Sequence, residues 1–140
     1  SSEAYVLYKR QVDGVQIRRV FINLFENSID ALKNEGKIEI CTKVDVNTNK
    51  ILIRFSENGT GITSADRDMV FLPHFTTKKR GTGIGLEMVN RIVVDHGGTI
   101  SVKNNQPRGT IFEIQIPRTP VSIYAEPIPL SSEKKVFLPF

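Results

Sequence analysis

Two stretches of helical period, set between stretches of strand period, leave this chain few architectures to choose from. Residues 16–33 place Ile17, Val20, Phe21, Leu24, Ile29 and Leu32 at spacings of three and four, which predicts an amphipathic helix. Gly36 supplies its expected stop. A second such stripe, Leu86, Val89, Ile92 and Val93, runs to Asp95 and is expected to end at Gly97–Gly98. Between the two, 38–46 alternates with period two, Asn47–Thr48–Asn49 reads as a turn, and 50–55 resumes the alternation, so this pair predicts a hairpin. Thr99–Lys103 and Thr110–Ile116 predict another. Consecutive antiparallel strands, with two helices that each need an apolar face to lie on, imply an α+β (α/β) two-layer sandwich.

Composition narrows the function classes. With 140 residues, 39% hydrophobic and 24% charged, the chain fits one globular domain. A net charge of +4, carried by scattered Lys and Arg, defines no nucleic-acid surface. No apolar run reaches the length of a membrane span, and the first residues lack the pattern of a secretory signal. Cys41 is the single cysteine and reads as a small structural residue in a strand. With two histidines and no cluster at ligand spacing, a zinc site is not expected. Five of the seven prolines, at 117, 120, 127, 129 and 139, fall at the C-terminal end. Residues 118–140 therefore read as a Pro-rich tail or linker outside a folded unit of 1–117, with the apolar Val136–Phe137–Leu138 free to dock, or with the tail covering the sheet's open edge.

Three segments carry the chemistry. On the first helix Asn23, Asn27 and Asp30 stand at i, i+4 and i+7 and form a polar stripe beside the apolar one. Asparagine is a poor helix former, and a carboxamide oxygen suits Mg²⁺; a solvated helix face would carry the same pattern. Glu26 points about 100° away around the helix and would act as a base only if it reached the same cavity. Ser56–Ile62 follows a strand, and Gly59 and Gly61 permit a tight turn and close approach of a flat ligand. Glu57 there can accept a hydrogen bond from an exocyclic amine, although a simple turn explains the glycines as well.

Gly81–Thr82–Gly83–Ile84–Gly85–Leu86 is the sharpest signal. Alternate glycines enter a helix whose first-turn N–H groups are free to bind phosphate. Lys78, Lys79 and Arg80 add charge upstream, and Thr76 or Thr77 a hydroxyl. The spacing is neither the dinucleotide GxGxxG nor a Walker loop. Phe71 and Phe75 flank Pro73 and His74 and read as anchors of a covering loop; His96 reads as a helix-end residue. Thr110 would bring a hydroxyl to Glu57 if strands 50–55 and 110–116 are neighbours.

Taken in order, these segments resemble the ATP-binding catalytic domain of sensor histidine kinases, in the superfamily that includes DNA gyrase B, the Hsp90 chaperones and MutL. INLFENSIDAL looks like the N box, SENGTGI like the G1 box, FLPHFTTKKRGTGIGL like the F box, lid and G2 box, and HGGTISVKN with PRGTIFEIQIP like the closing hairpin. The resemblance covers about Val15 to Pro117. It implies a Bergerat-type fold, a mixed, largely antiparallel sheet covered on one face by helices, and ATP with Mg²⁺ as ligands. Asn27 matches the metal-binding Asn and Asn23 the polar residue one turn earlier. Asp30, Glu57, Gly59, Gly61, Ile62 and Thr110 are then expected around the nucleoside. Thr77, Lys78, Arg80, Gly81, Thr82, Gly83, Ile84, Gly85 and Leu86 are expected around the phosphates, with Asn23, Asn27 and Lys78 in the catalytic group.

The implied activity is transfer of the γ-phosphoryl group to a histidine on a separate helical dimerisation domain, with a response regulator downstream and no nucleic-acid partner. The isolated fragment is expected to be monomeric and cytoplasmic, its parent anchored in the inner membrane, and the Thr-Thr-Lys and Asn-Ser-Ile-Asp-Ala runs look most like nitrogen-regulation kinases. Three features depart from the pattern. Glu57 stands where the family has Asp, the strand expected before the first helix is reduced to Tyr5–Tyr8, and no phosphoacceptor helices are expected upstream of residue 15. Two rivals remain: a superfamily ATPase using Glu26 or a neighbour as base, which predicts hydrolysis by the isolated domain, and a scaffold with impaired nucleotide binding, which predicts no thermal shift with nucleotide.

Overall fold

The computed structural model describes residues 14–73, 75, 85–118 and 134–139. Helix α1 spans Gly14–Leu32, strand β1 Lys37–Asp45, strand β2 Lys50–Glu57, a short helix α2 Ser64–Arg67, helix α3 Gly85–Asp95, strand β3 Thr99–Asn104, strand β4 Thr110–Pro117 and strand β5 Lys134–Pro139. The strands form one sheet in the order β3-β4-β2-β1-β5. Every pairing is antiparallel.

The period-two pattern decides which face of the sheet the helices cover. In β2 and β4 the alternate residues Ile53 and Phe55, and Phe112, Ile114 and Ile116, are buried, and Phe55 stands opposite Phe112 and Ile53 opposite Ile114. Val20 and Leu24 of α1 and Val89, Ile92 and Val93 of α3 close the core from the other side. The rings of Phe21 and Phe55 meet at 5.3 Å, and those of Phe71 and Phe112 edge-to-face at 6.4 Å. Phe71 is thus an anchor for the segment after α2, as its sequence position suggested.

The end of α1 differs in detail from expectation. The chain leaves the helix at Lys33, whose φ is 64°, three residues before Gly36; a left-handed residue just past the helix is the usual way to terminate it. At the hairpin turn, the Asp45 carboxylate accepts from the N–H groups of Asn47 and Thr48, and Asn49 takes a φ of 55°.

The C-terminal segment needs a larger correction. Read as a tail outside the core, part of it is a fifth strand: Lys37–Thr42 of β1 pair with Lys134–Pro139 of β5. Prolines near the segment's ends concealed the short extended run between them, and an edge position tolerates them because one side of the strand needs no partner. Residues 119–133 and Tyr5–Tyr8 lie outside the described residues. No described helix is long and apolar enough to cross a membrane.

The face of the sheet away from the helices carries a cluster of charged residues. Glu113 pairs with Arg54 at 2.7 Å and with Lys103 at 2.8 Å. The bond from Lys103, then that from Arg54, hold its carboxyl below the usual range against an opposing desolvation. A lowered folded-state pKa means stabilisation present above the unfolded value and lost as pH falls through the folded one. Glu113→Gln is therefore expected to cost at most about 1 kcal/mol at neutral pH, with the difference from wild type vanishing in urea melts under strongly acid conditions.

Candidate functional site

The end of β2, the start of β4, the polar stripe of α1 and the first turn of α3 converge at one place. Glu57 is the last residue of β2 and continues the inward-facing series of Ile53 and Phe55, so a carboxylate occupies a position that burial would reserve for an apolar side chain. It is 3% exposed, as is Thr110, and the two stand opposite each other in the register. The adjacency on which the Glu57–Thr110 pairing depended is thus present. One carboxylate oxygen, Oε2, accepts from the Gly59 N–H. The other, Oε1, is buried with no partner among the described residues. A buried acceptor left unmade costs about 1–3 kcal/mol, so its retention points to a ligand that brings a donor.

The backbone around Glu57 is held from three directions. A Cβ at Gly59 would fall on the carbonyl oxygen of Ala31 and 2.7 Å from Glu57 Oε2, so glycine is what lets this turn lie against the end of α1. Thr60 N–H then donates to Ala31 O at 3.1 Å. Asn58 Oδ1 accepts from Lys37 N at 2.7 Å. From the β3–β4 loop, Asn105 Nδ2 donates to the Glu57 carbonyl at 2.9 Å and Arg108 Nε to the Asn58 carbonyl at 3.3 Å. Gly109, with φ of 110°, sits so close that a Cβ there would fall on the Glu57 carbonyl oxygen.

Along α1, Asn27 Nδ2 donates to Asn23 O at 2.8 Å, and Asn23 Nδ2 to Arg19 O at 2.7 Å. With the amide nitrogens engaged by the helix's own carbonyls, each side chain presents its Oδ1, a hard oxygen suited to a divalent cation. Asn23 Oδ1 faces the start of α3: a Cβ on Gly85 would stand 2.8 Å from it. The first turn of α3 therefore stands beside the asparagine stripe. Ile62 and Leu86 are half-buried against the core on either side.

Other expected members are placed differently. Asp30 and Glu26 are exposed on α1. Gly61 is half-buried with φ of 75°. Thr77, Lys78, Arg80, Gly81, Thr82, Gly83, Ile84 and His74 lie outside the described residues. Sequence reading missed Asn58, Asn105 and Arg108, which fix the Glu57 backbone, and Arg67, which donates to Asn104 Oδ1 at 2.9 Å. The signal for Asn105 and Arg108 was a polar turn, Asn104–Asn105–Gln106–Pro107–Arg108–Gly109, too common to single out. Among the described residues no group of His, Cys, Asp and Glu could hold a metal ion by itself, so a cation here would need ligands beyond the protein carboxylates.

Known proteins similar to this chain share its family and fold. Residues 12–120 match the family model of histidine kinase-, DNA gyrase B-, and HSP90-like ATPases. The chain is 36% identical over 111 residues to the sensor histidine kinase ZraS of Salmonella typhimurium, covering 79% of this chain and 24% of that one. It is 34% identical over 102 residues to sporulation kinase E of Bacillus subtilis, covering 73% and 14%. The chain thus spans a quarter or less of these relatives. Among solved structures, the nucleotide-free catalytic domain of histidine kinase ThkA matches with a TM-score of 0.68 and 37% identity over 76% of this chain and 69% of that one. ThkA in complex with the response regulator protein TrrA matches with a TM-score of 0.63 and 34% identity over 76% and 30%.

Proposed function

The chain belongs to the histidine kinase-, DNA gyrase B-, and HSP90-like ATPase family, and from that premise we propose that it is the nucleotide-binding catalytic domain of a sensor histidine kinase, taking ATP as its phosphoryl donor. The observation that carries the reading is the buried, unpartnered Glu57 Oε1 beside Thr110. A buried carboxylate oxygen that lacks a donor suits a ligand edge that donates, and the adenine amine is such an edge. Thr110 lies opposite to complete the contact, and Gly59 lets the turn that holds Glu57 pack against the end of α1.

The phosphates in this reading follow α1 from Asn27 toward Asn23 and the first turn of α3, where N–H groups and the helix dipole offset their charge. Asn27 would hold Mg²⁺, which supplies neutralisation of the triphosphate's charge. Gly81–Ile84 and the Thr77, Lys78 and Arg80 side chains would close the phosphate end. What the chain contributes is position and charge complementarity rather than a nucleophile. The nucleophile is a histidine on a helical dimerisation domain of the parent protein, and the phosphoryl group passes on to a response regulator. The parent is proposed to be membrane-anchored with this domain in the cytoplasm; its nucleotide-binding unit comprises residues 1–117 together with β5. Hydrolysis of ATP by the isolated domain, abolished on removing Glu26, would instead favour the superfamily-ATPase reading.

Asn27→Ala tests the metal role. It is expected to weaken ATP binding about tenfold in Mg²⁺, the loss of one good ligand, and to change it little when the metal is chelated. Equal losses in both conditions would refute the assignment.

A further inference from the structure

We infer that Arg19 is the residue of this chain that grips the terminal phosphate of a bound nucleoside triphosphate and so distinguishes tri- from diphosphate. The inference rests on the reading of the site as an ATP site.

Arg19, Asn23 and Asn27 stand at i, i+4 and i+8 of α1, one face of the helix. They are also linked: Asn27 Nδ2 donates to Asn23 O, and Asn23 Nδ2 to Arg19 O. Helical side chains lean toward the N-terminus, so Asn27 lies over the turn of Asn23, and Asn23 over the turn of Arg19. The polarity of the site along this helix is fixed at its other end. Thr60 N–H is bonded to Ala31 O, which ties the Glu57 turn to the last turn of α1. From Ala31, each step of four residues to Asn27, Asn23 and Arg19 advances about 6 Å. A ligand with its ring at Glu57 and its metal-bound phosphates at Asn27 therefore carries its outermost phosphate toward Asn23 and Gly85, with Arg19 next along the stripe.

The guanidinium is available for that contact. Arg54 and Arg91 are ion-paired to Glu113 and Glu87, and Arg67 and Arg108 are hydrogen-bonded to Asn104 and Asn58. Arg19, by contrast, is exposed and makes only a 3.4 Å bond to Gln16 Oε1 among the described residues. A planar fork of donors matches a phosphate bidentately, which an ammonium does not. Arg18 is exposed as well but points about 100° away, which makes it the internal control.

The test is calorimetric titration of the full chain with ATP and with ADP, both in Mg²⁺, for wild type, Arg19→Gln, Arg19→Lys and Arg18→Gln. Arg19→Gln is expected to lose about tenfold in ATP affinity with ADP affinity kept within about twofold. Arg19→Lys should fall between, and Arg18→Gln should match wild type for both ligands. An equal loss for ATP and ADP, or an undiminished ATP affinity, overturns the Arg19 assignment alone. Failure of the wild-type chain to bind either nucleotide overturns the ATP reading and the assignment with it.

Discussion

Glu57→Met is expected to leave the nucleotide-free protein at least as stable as wild type while weakening ATP binding on the order of a hundredfold. The two effects have one cause. Glu57 sits at an inward-facing strand position, is 3% exposed, and has one carboxylate oxygen with no partner. Removing a buried polar atom that lacks a hydrogen bond recovers its desolvation cost, about 1–3 kcal/mol, against the loss of the Gly59 contact. Methionine has a similar unbranched shape and fills the same space. The same substitution deletes the acceptor for the ring's amine, and sites built around a ligand hydrogen bond discriminate strongly when it is lost. Thermal melts with and without nucleotide read both signs: a raised or unchanged melting temperature alone, and loss of the nucleotide-dependent rise. A variant that melts lower and still binds ATP normally would mean the carboxylate is structural.

Gly109→Ala is expected to destabilise the domain by about 3–5 kcal/mol, enough to unfold a marginal protein. Two penalties act together there. A φ of 110° is costly for any residue with a side chain, about 1–3 kcal/mol. The added Cβ also meets the Glu57 carbonyl oxygen and stands 2.8 Å from Asn58 Cα, backbone atoms with no rotamer to give way; overpacking of that kind costs about 1–3 kcal/mol more. Relief would require β4 to separate from the end of β2, the pairing that brings Thr110 to Glu57. Gly14→Ala is the matched control, since a Cβ there meets nothing within 4 Å. Urea denaturation should show a large fall in midpoint for the first and a change within about 0.5 kcal/mol for the second.

The fold was legible wherever local periodicity was strong. The stripes of α1 and α3 and the alternation in β1, β2 and β4 have lengths at which burial of one face dictates the element, and each formed within a residue or two of its expected ends. β5 was not legible, because its place in the sheet comes from pairing with Lys37–Thr42, nearly a hundred residues away in the chain, and proline-rich surroundings weighed against a strand. Lys33 rather than Gly36 ends α1 for a similar reason: the path of the chain beyond the helix is governed by the Asn58–Lys37 contacts, not by local propensity. In the site, Asn23, Asn27 and Glu57 could be read from residue type and spacing. The polar residues that hold Glu57 in place could not, since Asn105 and Arg108 act through backbone carbonyls that become neighbours only once β4 lies beside β2.

The two ends of the site also differ in how they recognise a ligand. The Glu57 end is buried, formed by strand termini and two glycines that permit backbone contact, and it presents one unpartnered acceptor. The asparagine stripe is more open and presents oxygens that suit a cation better than a ring. Such a division fits a ligand with a flat donor-bearing head and a metal-associated polyanionic tail.

Calorimetric titration of the purified chain with ATP in Mg²⁺ tests that division most directly. Saturable one-to-one binding is predicted, with a dissociation constant of about 1 mM or tighter, lost in Glu57→Met. Absence of any binding heat with ATP at millimolar concentration, from a chain that melts cooperatively, would contradict it.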